Sequence, residues 1–528
     1  MHYNASCQLK KGRYFPMKSK SMIALLLALI LCLSSTSALA CTAIYVGGGL
    51  TETGDSFFAR SEDYANSYSK LFYVSPAGNH KAGDAYKGCY GFNYVFEKDS
   101  YSYTAFRDDN GEAQDFVCPD CGETHVHTPY EAGGTNEMGV SMSATETLYS
   151  SNAALKELDP YVKNGGIEEA EITTVILSQA ASAKEGVELL LKIYDTYGCY
   201  DGAGIFIGDD KEIWYIENLS GTQYVAVKLN DNLAFSVPNQ SVIGLIDLDD
   251  TENVIASPKL VEIAKQAGTY VGDEAANTID YMASYECSGK ASGRMVSALK
   301  YMNDAEQDAF APVDYVISNV AADGAIVPFY SNIQLKKAYT IADIIGYFQI
   351  PGIGKGGNTE IHIFQIGKED ALTDTVEWVG MNNGCYTPFV PYYPMLTQDT
   401  YAAYQKSMPS VGFAPEAPEG AISYPGKGYT PTEDGKWARV DGYKVLPEAW
   451  QDSFYWTCNA LSNIMDYGNK TEDEIAAVKA AVAQIQQDCY QAYELLKAAE
   501  NADEATQISM NAAEKAHNDL IALVNSIK

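Results

Sequence analysis

Apolar and polar positions divide the chain into segments of different period. Met22–Leu33, "MIALLLALILCL", is an unbroken apolar run, too short for the ~20 residues of a bilayer span. Lys10, Lys11, Arg13, Lys18 and Lys20 precede it, and "SSTSALA" follows, with small residues at Ala38 and Ala40. Basic, apolar and small-residue parts in that order predict an export leader over residues 1–40. Beyond it, "CTAIYVGG" and "SFFARSED" flank the glycine-containing "GLTETGD" and predict a β-hairpin. "NEMGVSMSATET", "GAGIFIGDD", "EIWYIENLSG" and "TQYVAVKLN" also read as strands. Residues 168–197 carry two helical runs, the second ending at Gly198, a C-cap residue type. Helical pattern returns at 258–302. In 471–500 the pair Thr471 and Glu474 forms a capping-box pattern, and Ile475, Val478, Val482, Ile485, Cys489, Tyr493 and Leu496 make one apolar stripe. A second helix is predicted over 503–527. Strands, then helices, then strands predict an α+β fold, with sheets covered by helices, rather than an alternating βαβ chain.

Two tracts break this pattern. Residues 107–131 are polar and read as a loop-like insertion, and residues 408–436 are rich in Pro and Gly and read as a linker. The predicted organisation is a leader (1–40), a main body (41–407), that linker (408–436) and a mainly helical extension (437–528). The helical tail reads as a packing element or as a contact between copies in a homo-oligomer.

Composition narrows the class. With 46% hydrophobic and 20% charged residues the chain is globular. Its net charge is -33, and without the five basic residues of the leader 31 Lys and Arg would face 69 Asp and Glu. Such a surface repels phosphate backbones, which excludes nucleic acid as the expected partner. After the leader no apolar stretch is long enough to span a membrane. The expected location is outside the cell or in its envelope.

Cysteines bring in the chemistry. Nine follow residue 40, and an odd number outside the cell leaves at least one thiol unpaired. Cys41 stands directly after Ala-Leu-Ala and has three readings: a lipid anchor, a structural or paired cysteine, or a nucleophile. A lipid-modified cysteine needs Leu three residues before it and a small residue two before, whereas Ala38 and Leu39 stand in the reverse order. As a nucleophile, Cys41 would be freed by cleavage after Ala40. Its own α-amine, a group that ordinarily titrates near pH ~8, could then take the thiol proton. No histidine would be required, and beyond the leader there are only His80, His125, His127, His362 and His517. Arg60 and Asp63, in "ARSED", would supply a cation for the thiolate and a carboxylate for the amine. Three apart on a strand, they lie on opposite faces, which predicts a bend or strand end after Arg60. The insertion holds Cys118, Cys121, His125 and His127, donors for a structural zinc, with a Cys118–Cys121 disulfide as the competing reading. "IPGIGKGGNTE" lacks phosphate-loop spacing and reads as a loop.

The ordered set "CTAIYVG", "ARSEDY", "GGTNEMGVSMSATET", "WYIENLSGTQYVAVKL", "VPNQSVIGLIDLDD", "SGRMVSALKYM" and "GCYTPFVPYYP" resembles the cysteine dipeptidases of the N-terminal-nucleophile hydrolase superfamily, dipeptidase A type. It is more distantly similar to penicillin V acylases and bile-salt hydrolases. The resemblance covers most of residues 41–400. It implies a four-layer αββα sandwich, with the helical runs at 168–197 and 258–302 as outer layers. It further implies Cys41 as nucleophile with its α-amine as base, Arg60 beside the thiolate, and Asp63 on the amine. Asn136 is implied in the oxyanion hole, Asn239 on the amine or substrate carbonyl, and Arg294 behind Asp63. The implied substrate is a dipeptide or short peptide, with no cofactor required. An amidase for a bile-salt or penicillin-type amide, or a non-enzymatic envelope protein, are the alternatives.

Overall fold

Thr42–Val46 (β1) and Ser56–Asp63 (β2) form the expected hairpin in the computed structural model. That structure describes residues 41–528 except 65–68, 110–113, 118–123, 128, 147, 149, 151, 287–292, 303–334, 369–370, 409 and 432–436. Every residue of β1 and β2 is buried, so both faces of the hairpin must be covered. One face is covered by a second sheet and the other by helices.

β1 and β2 are central in a six-stranded antiparallel sheet. Ala234–Val237 flanks β1, while Asn358–Ile366, Val376–Met381 and Val390–Tyr392 follow β2 in turn. The second sheet has eight strands, with Ser141–Glu146 between Glu131–Thr135 and Ala203–Gly208 near its middle. Aromatic rings join the sheets: Phe206 of the eight-stranded sheet lies 5.5 Å from Phe58, 6.4 Å from Tyr45 and 5.9 Å from Phe235 of the six-stranded one. Outside the eight-stranded sheet, Ile172, Val175, Val187 and Leu190 of helices Glu169–Gln179 and Ala183–Tyr197 pack with Met142, Ile205, Ile207 and Trp214. Outside the six-stranded sheet, Ala298, Met302, Ile344 and Ile345 from helices Gly293–Met302 and Ile341–Tyr347 pack with Ile44, Val46, Ala59 and Ile361. This is the four-layer αββα arrangement that the resemblance implied.

Local chemistry fixes the helix ends. Glu168 and Glu171 form a capping box at the start of Glu169–Gln179, and Ser182 caps Ala183–Tyr197, which ends at Gly198 with φ 75. Thr471 and Glu474 form the predicted capping box on Glu472–Leu496. Buried Val478, Val482, Ile485 and Cys489 of its stripe join one core with Ala513, Ala516 and Leu520 of Ala502–Ile527 and with Val379, Met381 and Tyr392 of the six-stranded sheet.

Two expectations need correction. The presumed linker is folded: Gly412–Ala414 and Ser423–Pro431 pair with Trp437–Val445 in a three-stranded sheet. Glycine serves close approach there, since a Cβ at Gly428 or Gly442 would stand 2.4 or 2.5 Å from the Phe413 ring. Residues 41–528 accordingly form one compact unit with the helical tail inside it. The polar insertion contains an antiparallel hairpin, Gln114–Val117 with Thr124–His127, where a loop was expected. Among the described residues no helix is long and apolar enough to cross a membrane.

His517 ties the tail to the body. It stacks on Phe454 at 5.3 Å, and its ring nitrogens meet Tyr401 Oη (3.2 Å) and Thr457 Oγ1 (2.9 Å). Burial lowers its pKa to about 4. A histidine held neutral in the fold stabilises it above the unfolded pKa of about 6.5 and loses that contribution as pH falls toward 4. The expected outcome is that His517→Gln loses less thermal stability than the unmodified protein between pH 7 and pH 4.5, a difference on the order of 2–3 kcal/mol. Parallel melting curves read by circular dichroism at the two pH values check it.

Candidate active site

Cys41 stands immediately before β1. Thr42 pairs with Ser61 and Ala43 with Arg60, so the antiparallel register sets Cys41 opposite Glu62. Its side chain therefore shares the face of Arg60 and Glu62, toward the second sheet. The Arg60 guanidinium donates to Cys41 Sγ at 3.0 Å. The same group reaches Glu169 Oε1 at 3.0 Å, Tyr130 Oη at 2.6 Å and Ala132 O at 3.5 Å. Tyr130 in turn donates to Glu169. Arg60 is only 1% exposed, and an unpaired guanidinium at that depth would cost several kcal/mol. Glu169 supplies the counter-charge from the first turn of its helix, where the helix dipole also favours an anion. Next along this face, buried Lys70 pairs with Glu62 at 2.5 Å and with Asp108.

These charges set the state of the thiol. Burial pushes the Cys41 pKa up, Arg60 pulls it down, and Glu169, Asp63 and Glu62 push it up again; the balance lies above the ordinary value. These surroundings favour the protonated thiol, so a nucleophile here would need a base. His362 does not serve, because Nδ1 meets Glu360 at 3.0 Å and Nε2 meets Ser143 at 2.7 Å. His80 stacks on Phe96, and His517 lies in the tail core.

Asp63 lies on the other face of β2. The strand runs through to Asp63 with no break after Arg60, which corrects the expected bend. No bend is needed, because Cys41 sits at a strand start: its side chain meets Arg60, while its carbonyl accepts from Arg294, whose charge also acts on Asp63. Asp63 Oδ1 accepts from Asn358 at 2.5 Å, and Oδ2 pairs with Lys355 at 2.8 Å. Burial pushes the Asp63 carboxyl up, against the pull of Lys355, Asn358 and Arg294. Arg294, from helix Gly293–Met302, donates to the Cys41 carbonyl, to Thr42 Oγ1 (2.7 Å), to Pro238 O (3.1 Å) and to Asn239 Oδ1 (2.6 Å). Asn239 has φ 56, a left-handed conformation that a non-glycine residue adopts rarely. The structure therefore gathers Arg60, Asp63, Asn239 and Arg294 around Cys41.

Asn136 is not brought there. Its amide nitrogen donates to Leu177 O (2.9 Å) and Ala180 O (2.8 Å), carbonyls at the end of helix Glu169–Gln179. Its Oδ1 accepts from the backbone of Met138 and Val140. Both amide hydrogens are spent on a helix end. Asn136 also lies four residues along an extended strand from Ala132, ~13 Å at strand rise. The expected oxyanion role is corrected to a structural one. Ala144, on the adjoining strand, does reach the site, its carbonyl accepting from Tyr130 at 3.2 Å.

Sequence reading missed Glu169, Tyr130, Lys355 and Asn358. Glu169 sits in "EEAE", where acids read as helix-start residues, and Lys355 and Asn358 sit in the tract read as a plain loop. Of the proposed zinc donors, Cys118 and Cys121 lie outside the described residues, as do the side chains of His125 and His127. Among the described residues Cys89, Glu168 and Glu171 have donor atoms close enough to share an ion. Glu171, however, already accepts from the backbone N–H groups of Cys89 (2.6 Å) and Glu168 (2.7 Å).

Comparison with known proteins is consistent with this site. Residues 40–292 match the sequence pattern of Peptidase family C69. A probable dipeptidase B of Streptococcus pyogenes serotype M1 is 31% identical over 387 residues, covering 70% of this chain and 74% of that protein. A probable dipeptidase of Salmonella dublin is 36% identical over 252 residues, covering 48% of this chain and 54% of that protein. Among solved structures, penicillin V acylase from Agrobacterium tumefaciens aligns over 67% of this chain and 85% of its own, with 13% identity and a TM-score of 0.32.

Glu169 offers a test of the electrostatics. Glu169→Gln removes a negative charge that raises the thiol pKa, so the pH midpoint of Cys41 alkylation should move down. It also leaves Arg60 without its buried counter-charge and should cost about 3–5 kcal/mol of stability. Iodoacetamide labelling followed by peptide mass mapping, together with denaturant melts, reads both effects.

Proposed function

The chain belongs to peptidase family C69, and on that premise we propose that it hydrolyses dipeptides with Cys41 as nucleophile, after removal of residues 1–40 exposes the Cys41 α-amine. One observation carries this reading: a buried Cys41 thiol 3.0 Å from the Arg60 guanidinium, with both ring nitrogens of His362 committed to Glu360 and Ser143. Such a thiol reacts only if a base is delivered to it, and an α-amine on the same residue is delivered by a single cut. The family match beginning at residue 40 supports a functional unit that starts at that bond. The names of the relatives support a dipeptide substrate. The leader pattern of residues 1–40 supports export, so that secretion and activation are one event.

The proposed steps are these. The amine takes the Sγ proton, Arg60 stabilises the thiolate, and sulfur attacks the peptide carbonyl carbon. The tetrahedral adduct collapses by breaking the C–N bond, and the ammonium returns its proton to the departing amino group. A thioester remains on Cys41. Water, deprotonated by the same amine, attacks it; the C–S bond breaks, the N-terminal residue of the substrate leaves as the free amino acid, and the ammonium returns its proton to the Cys41 sulfur. Asp63 holds the ammonium between steps. Arg294 fixes the Cys41 carbonyl and Asn239, and Asn239 is assigned to the amine or the substrate carbonyl.

Expression of the full chain in an exporting host tests this directly. The secreted product should begin at Cys41 by intact mass and N-terminal sequencing. It should hydrolyse members of a dipeptide panel and leave a conjugated bile salt intact. Cys41→Ala should lose about 10³-fold or more in kcat/KM. Full activity in an uncleaved chain, or in Cys41→Ala, would exclude the mechanism; preference for the bile salt would move the substrate class to non-peptide amides.

A further inference from the structure

The tract "IPGIGKGGNTE" supplies a component of the site that the mechanism above leaves unassigned. Lys355 Nζ lies 2.8 Å from Asp63 Oδ2, and Asn358 Nδ2 lies 2.5 Å from Asp63 Oδ1. The segment is closed on itself: Lys355 N donates to Asn358 Oδ1 (2.9 Å), Asn358 N to Lys355 O (3.0 Å), and Asn358 Nδ2 also to Ile353 O (3.0 Å). Tyr64 N, directly after β2, donates to Gly357 O at 3.0 Å and fixes the segment against the strand that carries Asp63. The pair is asymmetric. The Asp63 side chain is 2% exposed and that of Lys355 is 29% exposed, so the lysine keeps part of its hydration while it neutralises a buried carboxylate.

The proposed base meets a difficulty here. An ammonium beside an unneutralised buried carboxylate is stabilised by about 1–3 pKa units. From a starting value near ~8, the Cys41 amine would then stay protonated at neutral pH and could not accept the thiol proton. We infer that Lys355 is a positioning residue that keeps the Cys41 α-amine usable as a base, by taking part of the Asp63 charge away from it. This rests on the proposed role of that amine. Among the described residues the other charged groups near the site are Arg60, Glu62 and Asp63 from β2, Lys70 and Asp108 beside Glu62, Glu169 from its helix, and Arg294 from helix Gly293–Met302, with the hydroxyls of Tyr130 and Tyr347. Arg60 and Glu169 balance one another on the thiol side. On the Asp63 side Lys355 and Arg294 are the cations, and Arg294 is bound to the Cys41 carbonyl and Asn239.

The sign is testable. Without the lysine charge the amine pKa rises, so the acidic limb of the kcat/KM profile should move to higher pH by about 0.5–1 unit in Lys355→Met and in Lys355→Gln. Lys355→Arg should restore the limb. Both neutral variants are read on mature enzyme whose N-terminus has been confirmed as Cys41. A limb that stays in place while activity falls uniformly would show that Lys355 only supports the fold, and would overturn the inference. A downward shift would overturn it too. Active wild-type enzyme that begins elsewhere than Cys41 would overturn the proposed function itself, whatever the lysine variants do. Should one neutral variant fail to fold, the other carries the measurement, and Lys355 lies far enough toward solvent for Gln to be accommodated.

Discussion

One buried cation organises this molecule. The Arg60 guanidinium lies between the two sheets, and it can stay there only because separate segments converge on it. Cys41 comes from the chain before β1, Tyr130 and the Ala132 carbonyl from the start of a strand in the opposite sheet, and Glu169 from a helix beyond that sheet. Each partner answers part of the desolvation cost. The layers are joined by apolar rings elsewhere, but at this end they are joined by charge. The register that places Cys41 opposite Glu62 then follows from the same hairpin that places Arg60.

The two faces of β2 divide the labour. Toward the second sheet, Arg60 and Glu169 govern the thiol. Toward the helices, Lys355, Asn358 and Arg294 govern Asp63 and the Cys41 backbone. A residue at the very start of a strand is the one position whose side chain and main chain are open to both. That is how Arg60 and Asp63, three apart on an unbroken strand, can both act on the charge environment of one cysteine, and why no bend was required.

Much of the frame was legible because it depends on local patterns. The β1–β2 hairpin, the helices over 168–197, Gly198 as a stop and the Thr471–Glu474 cap all rest on near neighbours. Failures came where meaning depends on a distant partner. Gly428 reads as part of a linker and is instead room for the Phe413 ring. Asn136 has the right chemistry for an oxyanion hole, but helix carbonyls take it first. Glu169 looks like any acid at a helix start, and only the fold shows that a guanidinium lies in front of it. Lys355 sits in a glycine-rich stretch with no periodicity, where pattern reading has nothing to hold.

The strand order of the six-stranded sheet also governs when the site comes into being. Ala43 pairs with Val237 on one side, and Arg60 pairs with His362 on the other. Contacts so far apart along the chain close late, since loop entropy must be spent before they form. A nascent chain that has passed Glu169 still lacks the strand Asn358–Ile366 and therefore Lys355 and the wall around Asp63. Throughout synthesis and early collapse the thiol is an ordinary cysteine without its electrostatic surroundings. The charge environment of Cys41 is in this sense a property of the finished topology.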